Sequence, residues 1–345
     1  MKTHPIARAT TVAAAAFVAF VSPLPVCAQS YPSRAVHLVV ANPAGGAGDI
    51  VAKAISDMLA KALGHSVIVE YRAGASGAVG ARSVARAAPD GYTLLVGQTT
   101  EIVINRALAK ELGYDPDSDL VPVALLATMP LALIVPAAAP YTTVDQLLQA
   151  SRSSPRGLLF ASTGPGTPGH LAAELLKAST HSNLTHVPYE GGGAALDAVV
   201  NNRVDFHFQA LPTAMPQVIA GKLKVLAVSS VKRSPALPNV PTVAETIGPK
   251  DFDVMLWAGI FAPRNTPTAI VARLNQEINN VLQQTDVKDP LMRSGAEVDP
   301  MSVGEFASFL RSETAKYEAL IKVEFCSKLL YGGCGGFGTN LNLLP

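Results

Sequence analysis

The chain has 345 residues, 49% of them hydrophobic and 15% charged, with 27 Lys and Arg against 26 Asp and Glu for a formal net charge of +1. That is enough apolar material for a sizeable core, and near-neutrality without Lys/Arg clusters argues against nucleic acid or an anionic membrane surface as partners. The three cysteines, Cys27, Cys326 and Cys334, fall near the two ends, so the body needs no disulfide and carries no thiol chemistry.

Residues 1–28 have the make-up of a secretory signal peptide. Lys2 and Arg8 precede an apolar run over 12–21, Pro23 and Pro25 break it, and Val26-Cys27-Ala28 offers small residues for cleavage after Ala28. The run is too short for a membrane anchor. Leu24-Pro25-Val26-Cys27 is a poor lipidation signal, which leaves tethering at Cys27 as the lesser alternative. Loss of Lys2 and Arg8 with this segment takes the formal charge from +1 to −1.

Short apolar runs then alternate with segments of helical spacing. Strands are expected at 35–41, 66–70 and 92–96, and helices at 49–63 and 79–87, with Gly64 closing the first helix. This rhythm predicts a parallel sheet with helices on its faces. A second series has strands at 131–136, 158–161, 184–187, 204–208 and 223–229, with helices at 143–151, 169–179, 193–201 and 213–220. A strand at 257–261 and amphipathic helices at 267–284 and 302–322 follow. The expected organisation is two α/β lobes: 29–130 with 250–323, and 131–249, crossing near 125–132 and 247–258.

Three glycine-rich loops each follow a strand and open a helix: Asn42 to Gly48, Ser162 to Gly169, and Tyr189 to Gly193. Glycine allows close approach of the backbone, and a helix start offers unpaired N–H groups and a positive dipole end. Converging on one cleft, such loops suit an anion with more than one negative group; singly, each is also an ordinary turn. Enzyme motifs fail at definite positions. The dinucleotide fingerprint breaks at Val51, although Glu70 ends the second strand near where a ribose-binding acid would stand. Gly74-Ala75-Ser76-Gly77-Ala78 lacks the last glycine of a nucleophile elbow. No phosphate-loop motif occurs, and no histidine pair or Cys/His set has metal-ligand spacing. No catalytic residue, metal or cofactor is expected. His170, just inside a helix start, is the histidine placed nearest a ligand.

At these loops the sequence resembles the Bug-type extracytoplasmic solute receptors, the substrate-binding components of tripartite tricarboxylate transporters. The resemblance rests on Val39 to Asp49, Tyr71 to Gly80, Ala88-Pro89-Asp90-Gly91-Tyr92-Thr93-Leu94-Leu95, His186-Val187-Pro188-Tyr189, Gly221-Lys222-Leu223 and Leu237 to Glu245. It runs from about Tyr31 to about Val323. It implies a two-lobed periplasmic-binding-protein fold (type II-like) of class α/β, with a ligand cleft between lobes, each a mostly parallel sheet flanked by helices. The implied ligand is a small carboxylate, held by Asn42, Ala44, Gly46, Asp49, Gly77, Thr99 and Thr100 of the first lobe. The second lobe would add Ser162, Thr163, Gly166, Thr167, His170, Tyr189, Gly191 and Gln209. The implied setting is the periplasm, and the implied partners are membrane permease subunits of such a transporter or, alternatively, a sensor kinase ectodomain. A monomer is expected, and an enzyme on the same fold is the remaining alternative.

Three departures qualify the resemblance. Asn42 stands where the family usually has an aromatic. Gln209-Ala210 stands where Asp-Asn usually precedes Leu-Pro, removing an acid that could pair with a ligand ammonium. Both favour a non-amino organic acid, aliphatic or aromatic. From 324 to 345 no family counterpart is recognisable. That tail is expected to be poorly ordered, and a Cys326–Cys334 bridge is conceivable in an oxidising compartment.

Overall fold

The structure is a computed structural model that describes residues 31–108, 111–246 and 250–330, with side chains to Lys322. The expected signal segment, its cut after Ala28, Cys27, Cys334 and the Cys326 side chain lie outside that description.

The first lobe opens with β1 (Val36–Val40), α1 (Ala47–Leu63), β2 (Val67–Tyr71), α2 (Ala78–Ala85) and β3 (Thr93–Gln98). β1 pairs in parallel with both β2 and β3. α1 begins after the extended Gly46 and stops at Gly64, whose left-handed φ of 70° closes the last turn. A π-wound turn over Thr100–Ile104 follows β3 directly and leads into α3 (Asn105–Leu108) and α4 (Pro116–Asp119).

β4 (Leu120–Pro136) then crosses the whole molecule. Its first part, to Pro130, pairs with β9, and from Leu131 onward it pairs with β7 and β8. Sequence patterning placed a strand only at 131–136, because Pro122 and Pro130 interrupt the earlier part. Both prolines are tolerated because β4 is the edge strand of the first sheet, where one side of the ladder is unused.

The second lobe continues through α5 (Val144–Ser153), β5 (Leu158–Ser162), α6 (Pro168–Thr180), β6 (Leu184–Pro188), α7 (Gly192–Val200), β7 (Phe206–Ala210), α8 (Leu211–Ile219) and β8 (Leu223–Val228). β5 pairs in parallel with β6 and β7, while β4 runs antiparallel to β7 and β8. The chain then returns. β9 (Met255–Pro263) inserts antiparallel between β3 and β4, and α9 (Thr268–Leu282), α10 (Thr285–Ser294) and α11 (Val303–Leu330) complete the first lobe. Pro290 inside α10 hid that helix from periodicity. α11 continues into the divergent tail as far as Leu330.

Each lobe has its own core. In the first, Leu38, Val40 and Leu94 of the sheet are buried, as are Ile55 and Leu59 of α1 and Leu274 and Ile278 of α9. In the second, Ile134, Ala161, Val199, Leu211 and Leu223 pack together, and Phe160 stacks among Phe206, His170 and His186. Each buried large apolar side chain contributes about 1.5–3 kcal/mol, so neither sheet could stand without its helices. α11 packs on β4, on the π-wound turn and on α6 of the other lobe.

Candidate functional site

The carboxyl ends of the strands of both lobes face a cavity of about 700 Å³, a size suited to a small ligand. Five helix starts surround it. The residues preceding α1, α2, α6, α7 and α8 are Gly46, Gly77, Thr167, Gly191 and Ala210, and all five line the wall. None of these five helices has a side-chain cap. Away from the cavity, α4 and α5 are capped by Asp115 and Thr143, whereas α9 and α10 have no side-chain cap. A first turn whose N–H groups are not taken by a capping side chain is a ready anion site. Pro168 and Pro212 remove one donor each from α6 and α8, and in α2 the N–H groups of Ala78 and Val79 already bond to the carbonyls of Ala75 and Gly74.

The wall contains no Lys, Arg or His, and its charged residue is the exposed Glu190. Donors are therefore neutral: the amides of Asn42, Gln98 and Gln209, the hydroxyls of Thr100, Thr163, Thr167 and Thr213, and backbone N–H groups. Asn42 Nδ2 donates to Gln98 Oε1 at 2.6 Å, fixing two of these amides against each other. Leu131, Phe208 and Leu256 supply an apolar stretch.

Of the expected ligand contacts, Asn42, Gly46, Gly77, Thr100, Thr163, Thr167, Tyr189, Gly191 and Gln209 line the cavity. Six others do not, each for a visible reason. Ala44 is exposed. Asp49 turns back into its own loop, accepting from the Gly45 N–H at 2.7 Å, Lys53 Nζ at 3.0 Å and the Tyr71 hydroxyl at 2.7 Å. Burial opposes its charge, but these bonds outweigh it and hold the carboxyl below its ordinary range. Thr99 accepts from the Trp257 N–H at 3.0 Å, tying β9 to the end of β3. Ser162 accepts from the Gly164 N–H and lies 2.6 Å from His186 Nε2. That pair superficially resembles a nucleophile and base, but Ser162 is wholly buried and does not reach the cavity. His170 is buried beside Phe160 and receives the Gly166 N–H at Nδ1, 3.2 Å away. Gly166 itself lies beneath Leu108 of the first lobe.

Sequence reasoning passed over Gln98 and Thr213, both in the wall, and named Ser76 and Gly192 only within their loops. The hydroxyl of Thr213 is buried and makes no hydrogen bond. A ligand-facing threonine in the first turn after Leu211-Pro212 was findable by extending the strand-end rule one residue further. Gln209 is braced from behind by His207, whose Nε2 lies 2.6 Å from the amide and whose Nδ1 donates to the Ala161 carbonyl. Burial pushes His207 down to about 4, although both contacts favour its protonated form.

The lobes touch around the cavity. A methyl group built on Gly191 would lie 3.2 Å from Pro43 Cγ, and one on Gly166 would lie 2.5 Å from Leu108 Cδ1. Among the described residues no helix is long and apolar enough to cross a membrane, and no group of three potential metal ligands occurs.

Residues 51–324 match the model of the tripartite tricarboxylate transporter family receptor. The chain is 39% identical over 293 residues to the UPF0065 protein in the tcbD-tcbE intergenic region of Pseudomonas sp. (strain P51), covering 85% of this chain and 87% of that one. Among solved structures, R. palustris Rpa4515 with adipate has a TM-score of 0.83 at 34% identity, covering 86% of this chain and 98% of that one. MatC (Rpa3494) from Rhodopseudomonas palustris with bound malate has a TM-score of 0.78 at 35% identity, covering 84% and 100%.

Proposed function

The chain belongs to the tripartite tricarboxylate transporter receptor family, and from that premise we propose that it captures a small organic carboxylate between its lobes in the periplasm and delivers it to membrane permease subunits. The observation that carries this reading is the ring of five helix starts without side-chain caps around a cavity whose wall has no cationic side chain. Neutral N–H and O–H donors hold a carboxylate without an arginine clamp. Donors come from both lobes, and Leu131, Phe208 and Leu256 add apolar surface to the wall, a combination suited to a ligand with acid groups at two ends or to an aromatic acid. The neighbours bound to adipate and malate support the same class.

With Gln209-Ala210 at the end of β7 and Glu190 exposed, the wall offers no buried carboxylate to a ligand ammonium. The preferred ligand is therefore a non-amino acid. Capture proceeds by lobe closure, without bond chemistry, since the contacts at Gly166 and Gly191 form only when the lobes meet. Calorimetric titration with aspartate, glutamate, citrate, adipate, benzoate and terephthalate tests this. Binding of one or more of the last four is expected, and tight binding of an amino acid alone overturns the preference. Ligand-dependent retention of permease subunits by the immobilised receptor tests delivery; retention of a sensor kinase ectodomain instead would reassign the partner.

A further inference from the structure

Behind the first-lobe wall lies a carboxyl group that capture as described does not use. Glu101 sits in the π-wound turn Thr100–Ile104 and is wholly buried. Such turns carry one extra residue and recur at functional sites. Glu101 Oε1 accepts from the Gln98 N–H at 2.9 Å and from Asn42 Nδ2 at 3.4 Å. Its Oε2 makes no hydrogen bond and lies 2.9 Å from the point where a Cβ on Gly77 would be. Asn42, Gln98 and Gly77 all line the cavity. One buried acid thus bonds to two members of the first-lobe cradle and fills the space beside a third.

We propose that Glu101 is a positioning residue that serves the cradle as a neutral carboxylic acid, so that a carboxylate ligand binds with uptake of one proton from solvent wherever Glu101 would otherwise be ionised. This rests on the reading of the cavity as a carboxylate site. A negative charge held directly behind donors aimed at an anion would oppose that anion, and the bound anion would in turn favour the protonated acid. Burial pushes Glu101 up to about 8, and the bonds from the backbone and Asn42 only partly offset it.

The surroundings supply no counter-charge. Asn42, Gln98 and Gly77 are neutral. Tyr114, ahead of α4, donates its hydroxyl to the Glu101 carbonyl and is itself pushed well up by burial and by Glu101. Arg82 of α2 acts on Tyr114. Arg106 of α3 is paired with Asp117 of α4, and Asp119 accepts from the Asp115 N–H. On α11, Lys316 is shared between Glu313 and Asp253. Among the described residues no cation pairs with Glu101.

The test is the pH dependence of affinity, measured for the wild type and Glu101→Gln with the same acids. The glutamine retains an oxygen for the Gln98 and Asn42 bonds but cannot ionise. With adipate, mostly ionised over this range, wild-type affinity should change little from about pH 6 to about pH 7. Above about pH 8 it should weaken, approaching tenfold per pH unit. Glu101→Gln should show no such slope, whatever its absolute affinity. An infrared carbonyl band of a protonated carboxyl at about pH 6, absent from Glu101→Gln, gives a second readout independent of ligand. Wild-type affinity that is flat across the range, a slope retained in the variant, or absence of the band overturns the proposal. If no acid binds at about pH 6, the capture reading fails and the role of Glu101 fails with it; if acids bind with flat affinity, capture stands and only this role is lost.

Discussion

Leu108, at the end of α3, rests on Gly166, in the loop before α6, so that a first-lobe side chain covers a second-lobe glycine whose φ is 75°. A methyl group on Gly166 would meet Leu108 Cδ1 at 2.5 Å and would also strain the backbone. Gly166→Ala should therefore hold the lobes apart and weaken ligand binding by about fivefold or more, on the order of 1–3 kcal/mol. Leu108→Ala alone should leave association unchanged and speed release. The double variant should recover part of the Gly166→Ala loss. Calorimetry with stopped-flow dissociation reads these effects, and small-angle scattering reads the separation of the lobes.

Thr213 places a buried hydroxyl in the cavity wall with no hydrogen-bond partner in the protein. An unmade bond of this kind costs stability and becomes an asset when a ligand completes it. Thr213→Val should raise the melting temperature slightly while lowering affinity by about 0.5–1.5 kcal/mol. Thermal melts with and without ligand separate the two effects. Equal losses in both would make the hydroxyl structural.

Asp49 ties the first glycine loop to α1 and β2 through Gly45, Lys53 and Tyr71. Its carboxyl is held below the ordinary range, so its contribution is present above its unfolded pKa and lost as pH falls through the lower folded value. Asp49→Asn should destabilise the protein at neutral pH, and the gap to the wild type should close below about pH 4 as the wild-type carboxyl protonates. Melting curves over that range check the sign. A gap that widens on acidification would show that the charge is not what matters.

The cavity wall has no Lys, Arg or His. Affinity for a dicarboxylate should consequently depend weakly on salt, changing by less than about threefold between low and moderate ionic strength, because no exposed ion pair is there to be screened. Calorimetric titrations in sodium chloride check this. A steep decline would point to a long-range cationic field.

The loops over 42–48, 162–169 and 189–193 were legible because close approach and helix starts both leave glycine in the sequence. Residues that work behind or between them leave no such mark. Gln98 is the last residue of a strand, Glu101 sits in a turn that replaces the usual loop, and Thr213 follows a Leu-Pro pair. The family resemblance implied that Asp49 faces the ligand; the short tether from Gly45 and the reach of Tyr71 from β2 turn it inward instead. The strand pattern was plain where buried runs were uninterrupted. It was hidden over 120–130, where tolerance of Pro122 and Pro130 depends on β4 being an edge strand, a property of the assembled sheet.

The place of β9 between β3 and β4 has a consequence for biogenesis. During synthesis, everything through Pro136 emerges more than a hundred residues before Met255–Pro263. Over that interval β3 is paired with β1 on one side only and the first part of β4, to Pro130, has no partner, leaving edges rich in buried valine, leucine and alanine. The strands of the second lobe follow one another without interruption and can close first. Insertion of β9 is then the closing step of maturation, and the exposed edges that precede it are where a nascent chain would meet holdases or aggregate.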